Sequence, residues 1–105
     1  METANLTYIK NLSGGDISFE EKIITILKSE LPEEQKTYFF CLQNKNYKDT
    51  AEIVHKLKHK ISILGLKKSY QIAVEFEENL LKGNAMGKDD FEKILMNMTK
   101  FVEQL

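Results

Sequence analysis

About one helical turn apart, in a stretch with a regular register of apolar residues, sit the chain's only two histidines, His55 and His59, with Lys58 between them. An imidazole is the side chain best suited to act as a nucleophile or proton carrier near neutral pH, provided that a partner can reach it. In an α-helix each residue advances about 100° around the axis, so the stretch 46–66, NYKDTAEIVHKLKHKISILGL, can be divided into two faces. Ile53, Leu57, Ile61 and Leu64 make one stripe with Val54 on its edge, and His55 falls about 150° from the stripe's centre, facing water. Its neighbours on that face are Ala51 one turn before, Lys58 and His59 one turn after, and Ser62 two turns after. Ala51 and Ser62 are small enough to let a macromolecule approach. Lys58, three residues on, can bring its ammonium to a negative charge placed on the ring. The arrangement suits an anion better than a cation.

Competing readings of the same residues are a solvated surface histidine with no role and a metal site. His55 and His59 have the i, i+4 spacing of a zinc pair, with Glu52 as a third ligand. Lys56, Lys58 and Lys60 oppose a dication there, and no further histidine or nearby cysteine completes the shell, so no metal is expected. A Gly-rich phosphate loop, a nucleophile elbow and a separated acid pair are all missing, which argues against a self-contained enzyme.

The elements that must hold these residues follow from length and pattern. A chain of 105 residues fits one domain, 1–105, and 42% apolar with 30% charged residues is a globular composition. No apolar run approaches the ~20 residues needed to span a bilayer, so no membrane is expected. The opening METANLTYIK lacks a basic start and an apolar core, so no signal peptide is expected, and Met1 favours a free protein over an excised domain. The single cysteine, Cys41, lies in the apolar run 38–42 and reads as a buried, inert thiol, consistent with a cytoplasmic setting. A net charge of −1 gives no global reason to expect nucleic acid. Locally, the seven lysines of residues 44–68 against Asp49 and Glu52 leave +5, so the remainder carries −6 and the histidines lie in a basic patch.

Along the chain, Leu6, Ile9 and Leu12 predict a short amphipathic turn or two, stopped by Ser13-Gly14-Gly15. Asp16 is a good N-cap for a helix whose stripe is Phe19, Ile23, Ile26, Leu27 and Leu31. Pro32, followed by Glu33 and Glu34, predicts a kink or two abutting helices, the second running to about Gln43. Asn46 caps the central helix, with Asp49 in the manner of a capping box. Gly65 closes or bends that helix, and another runs from about Leu66 to Lys82 with Leu66, Tyr70, Ala73, Leu80 and Leu81 inward. Glu77 falls in the middle of that inner stripe, where a carboxylate needs a lysine, a histidine or water. Phe91, Ile94, Leu95, Met98, Phe101, Val102 and Leu105 mark the last helix. No strand pattern appears. The fold class expected is all-α, an antiparallel up-down four-helix bundle with a short N-terminal lid helix.

The segment His55-Lys56-Leu57-Lys58, with Gly65 ten residues after the first histidine, resembles the H-x-L-K and glycine signature of histidine-containing phosphotransfer (HPt) domains. The resemblance extends to most of the chain, since that family consists of helical bundles of this length with a lid helix and an exposed mid-helix histidine. It implies a two-component phosphorelay in which His55 accepts a phosphoryl group from a receiver-domain aspartate and passes it to another. By the same resemblance Lys58 steadies the phosphate oxygens and Glu77 orients the histidine from the next helix, while Ala51, His59, Ser62 and Gly65 belong to the docking surface. The partners implied are receiver domains of response regulators or hybrid histidine kinases; no cofactor is bound, and Mg²⁺ belongs to the receiver. The chain departs from the pattern at His59, where the family usually has a small residue, and Lys60 and Ile61 are also larger than usual. A bundle that docks a receiver or kinase without being phosphorylated is the alternative that His59 keeps open.

Overall fold

The structure, a computed structural model, describes residues 2–105, so the reading of Met1 lies outside the described residues. These residues form five α-helices and no strand: α1 (Thr7–Ser13), α2 (Ile17–Gln43), α3 (Tyr47–Ile63), α4 (Lys67–Leu81) and α5 (Lys88–Glu103). Each boundary has a local cause. Gly14 takes the left-handed conformation that ends α1 (φ 58°). The Asp16 carboxylate accepts the Phe19 backbone N–H at 3.2 Å and opens α2. Asn46 accepts the Asp49 N–H at 3.2 Å and donates to the Asp49 carboxylate at 2.6 Å, so the box closes side chain to side chain.

Of the two expected outcomes, a kinked helix or two abutting ones, Pro32 does not give the second: α2 runs without interruption over 27 residues. A proline removes one intrahelical bond and crowds the preceding turn. Pro32 itself is exposed, while Leu31 just before it and Tyr38 two turns after it are buried, so tertiary packing anchors the helix on both sides of the defect.

The apolar stripes meet in one core. Leu57, Ile61 and Leu64 from α3 and its end are wholly buried with Leu66, Ala73, Phe76, Phe91 and Met98. Phe76 packs its ring against Phe91 at 5.0 Å between centroids, and Tyr38 joins them at 5.4 Å from Phe91. The Tyr38 hydroxyl donates to Glu92 Oε2 at 2.9 Å, and burial first, then that carboxylate, pushes its pKa up. Helix α3 packs on α2 and α4, and α5 packs on the same two helices, while α1 lies on α2.

Two stripes are less buried than their spacing predicts. In α2, Phe19 and Ile26 are exposed, lining an open groove beside Tyr8 and Leu12 of α1 and Ile63 of α3. In α4, Leu81 is 64% exposed; it is the last helical residue, and Phe76, not part of the predicted stripe, is buried instead.

The N-terminal segment ties the helix ends together. Glu2 accepts the backbone N–H groups of Lys68 (2.8 Å) and Ser69 (2.7 Å), capping α4, which has no side-chain cap of its own. Desolvation alone would raise the Glu2 pKa; the two backbone donors, with the Ser69 hydroxyl and the Lys68 charge, together outweigh it and hold the carboxyl below its ordinary 4.5. Asn5 N donates to Leu64 O at 2.9 Å, and its side chain lies over Gly65. Cys41 is a buried free thiol, and burial raises its pKa, with Asp49 and Glu52 adding to the effect.

Candidate functional site

The α3–α4 interface, the most extensive between any two helices, sets the site. It brings His55 of α3 against Glu77 of α4: His55 Nδ1 lies 3.3 Å from Glu77 Oε2. A carboxylate can only accept, so Nδ1 carries the proton in this contact and the neutral ring holds its lone pair on Nε2. The His55 side chain is 53% exposed, and Nε2 has no hydrogen-bond partner among the described residues. The arrangement presents an oriented nitrogen nucleophile to solvent.

Glu77 also meets Lys58, whose Nζ lies 2.9 Å from Oε1. The contact is an ion pair without hydrogen-bond alignment, since Oε1 is buried and accepts no directed bond. Lys58 and Glu77 are 12% and 18% exposed, so the pair is shielded from much of the solvent screening that weakens surface ion pairs. The Lys58 ammonium also stands over the Tyr70 ring, 5.7 Å from its centroid. Tyr70 was legible only as an inner-stripe residue. Its position seven residues before Glu77, two turns along one face, is the signal that places both beside α3.

His59 stands one turn beyond His55, exposed, with the rings edge to face at 67° and centroids 4.9 Å apart. Ser62 is exposed further along the same helix. Two further residues of the expected docking face are less exposed than His59 and Ser62. Ala51 is 2% exposed, because its short methyl lies on the floor of a shallow hollow walled by longer side chains, Lys48, Glu52, His55 and Leu81 among them. Gly65 is half-buried at the end of α3, where a Cβ would come within 2.7 Å of Asn5 Nδ2. Its surroundings explain a glycine without reference to a visitor.

The basic patch is also smaller than the sequence suggests. Lys60 is 8% exposed and donates to Glu30 Oε1 and Glu34 Oε2, each at 2.9 Å, so it fastens α3 to α2. Burial alone would lower its pKa, and the two carboxylates reverse that and raise it. With Lys58 paired as well, the exposed lysines of the patch are Lys45, Lys48, Lys56, Lys67 and Lys68. Among the described residues no group of three or more His, Cys, Asp or Glu side chains is placed to hold a metal ion. Among the same residues no helix is long and apolar enough to cross a membrane.

Compared with protein-family models, curated proteins and solved structures, the chain matches none.

Proposed function

We propose that this chain is a histidine phosphotransfer protein of a two-component phosphorelay, with His55 as the phosphoacceptor. The observation that carries the reading is the half-exposed His55 ring, its Nδ1 held by Glu77 at 3.3 Å and its Nε2 open to solvent. Supporting it, α2 to α5 read as an antiparallel up-and-down bundle, each helix joined to the next by a short connection, with α1 as a lid over α2. A cytoplasmic setting goes with this reading.

In the proposed step the Nε2 lone pair attacks the phosphorus of an aspartyl phosphate on a receiver domain. The Nε2–P bond forms as the P–O bond to the aspartate breaks, and the receiver's carboxylate leaves with the electron pair. Nδ1 keeps its proton throughout, and Glu77 favours the positive charge that develops on the ring. Transfer to a second aspartate reverses these bond changes.

The test is incubation with a receiver domain carrying labelled aspartyl phosphate. The chain is expected to take up acid-labile label, and His55→Gln none, with the helical content of the variant unchanged. Binding of the receiver without label would leave the docking-module reading in its place. Label lost in His59→Ala and kept in His55→Gln would show that the acceptor is misassigned.

A further inference from the structure

We infer that His59 is a positioning residue for the phosphoryl group on His55, taking a role that Lys58 is placed too deep to fill. The inference rests on the phosphoacceptor reading above.

A phosphoryl group on Nε2 stands on the solvent side of the ring, away from Glu77 and Nδ1. Lys58 lies on the inner side, 12% exposed, with its ammonium 2.9 Å from Glu77 Oε1 and over the Tyr70 ring. Glu77 Oε1 is buried and has no directed hydrogen bond, so the Lys58 ammonium is its compensating charge. Swinging Lys58 out to a phosphate would give up its 2.9 Å contact with Glu77 Oε1 and its place over Tyr70, leaving that buried oxygen without its ion-pair partner while Oε2 alone faces the His55 ring.

His59 has none of these ties. It is exposed, and its ring already lies edge to face against His55 at 4.9 Å. In either neutral tautomer one ring nitrogen carries a hydrogen, so a donor is present whichever is populated. A hydrogen bond of about 2.8 Å to a phosphoryl oxygen would be charge-assisted, and ordering an imidazole fixes only two side-chain torsions. His59 makes and breaks no covalent bond in this role. Lys56, also exposed, adds positive charge to the neighbourhood from a long, flexible stem without a fixed position.

The experiment compares uptake of label from a phosphorylated receiver, and the subsequent decay of phosphohistidine, in the full chain and in His59→Leu, His59→Gln, Lys58→Gln and Lys56→Gln. His59→Leu keeps bulk and removes the donor; His59→Gln restores an N–H. The expected result is uptake slowed about tenfold and decay hastened in His59→Leu, recovery of most of both in His59→Gln, and smaller losses in the two lysine variants. A ³¹P resonance of the phosphohistidine displaced in His59→Leu and restored in His59→Gln would report the contact itself. Uptake and decay unchanged in His59→Leu, or a larger loss in either lysine variant, overturns the inference while the His55 assignment stands. Absence of label on His55 in the unaltered chain removes the phosphoacceptor reading and this inference together.

Discussion

Lys58 Nζ lies 2.9 Å from Glu77 Oε1, so the ammonium that sequence spacing assigns to an incoming phosphate is already engaged by a carboxylate of the neighbouring helix. The same carboxylate holds the His55 ring through its other oxygen. Glu77 thus fixes the orientation of the imidazole and the resting place of the cation in one side chain. That coupling makes the site a property of the α3–α4 interface rather than of α3 alone.

Replacing Glu77 by Gln should therefore be felt in two ways. The fold should lose about 1–2 kcal/mol, because the Lys58 ammonium is left without its counter-ion in a largely shielded position but can still swing toward water. On the proposed relay reading, phosphoryl uptake by His55 should slow roughly tenfold, the lower end of the loss known for removing the hydrogen-bond partner of a metal-bound histidine. Urea denaturation and a labelling time course would measure the two effects separately. Uptake unchanged in the variant would mean that the 3.3 Å contact does not orient the reacting ring.

Lys60 offers a pH signature. Its folded pKa is raised above the ordinary 10.5, so its contribution to stability is fully present below that value and is lost as pH rises through the folded pKa. Lys60→Met leaves Glu30 and Glu34 without their shared cation and should cost about 3 kcal/mol near neutrality. As pH rises above the ordinary 10.5 and through the higher folded value the unaltered protein should lose that advantage, and the difference in urea midpoint between the two proteins should narrow. A constant difference across this range would show that the ion triad adds nothing that depends on the lysine's charge.

How much of this was legible in the sequence depends on whether the cause of each feature is local. The caps at Asp16 and Asn46 and the buried faces of α3 and α5 follow from residues within a few positions of one another, and wheel reasoning places them. Lys60 reads from sequence as one of a basic patch because a wheel reports direction around one helix and not the identity of the facing one; Glu30 and Glu34 come from α2. Ala51 has the direction of an exposed residue and the reach of a buried one, since shading by longer side chains is a property of their length. The continuity of α2 through Pro32 depends on packing on either side of the proline. At the site, the Glu77 position on an inner stripe signalled that a partner was needed, while the choice between His55, Lys58 and water required the coordinates.

Glu2 caps a helix that begins 65 residues later, which no local pattern could announce. Its carboxyl is held below the ordinary 4.5, so the stability it supplies is present above that value and is lost as pH falls through the lower folded pKa. Glu2→Gln should lower stability at neutral pH by about 1 kcal/mol, the usual cost of a lost N-cap. The deficit should shrink as pH falls below the ordinary 4.5 and through the lower folded value. Faster hydrogen exchange at the Lys68 and Ser69 amides in the variant would locate the effect. If those two amides exchange at the same rate in both proteins, the N-terminal segment does not hold the start of α4.

Gly65 serves two conditions at once, and a pair of variants separates them. Its φ of +77° is one that L side chains rarely adopt, and a Cβ there would come within 2.7 Å of Asn5 Nδ2 and 2.9 Å of Asn5 Oδ1. Gly65→Ala should destabilise the fold by about 1–2 kcal/mol from backbone strain, with a further cost as the Asn5 side chain is pushed aside. The atoms in the way belong to the end of a side chain, so adding Asn5→Gly should remove the steric part and leave the backbone part. Thermal melts of the two single variants and the double variant form the cycle that reads the coupling. Strict additivity would mean that Asn5 does not rest on Gly65 in solution. A coupling of about 0.5 kcal/mol or more, with the double variant less destabilised than the sum, would show that the glycine is retained at least partly to let the N-terminal segment cross the end of α3.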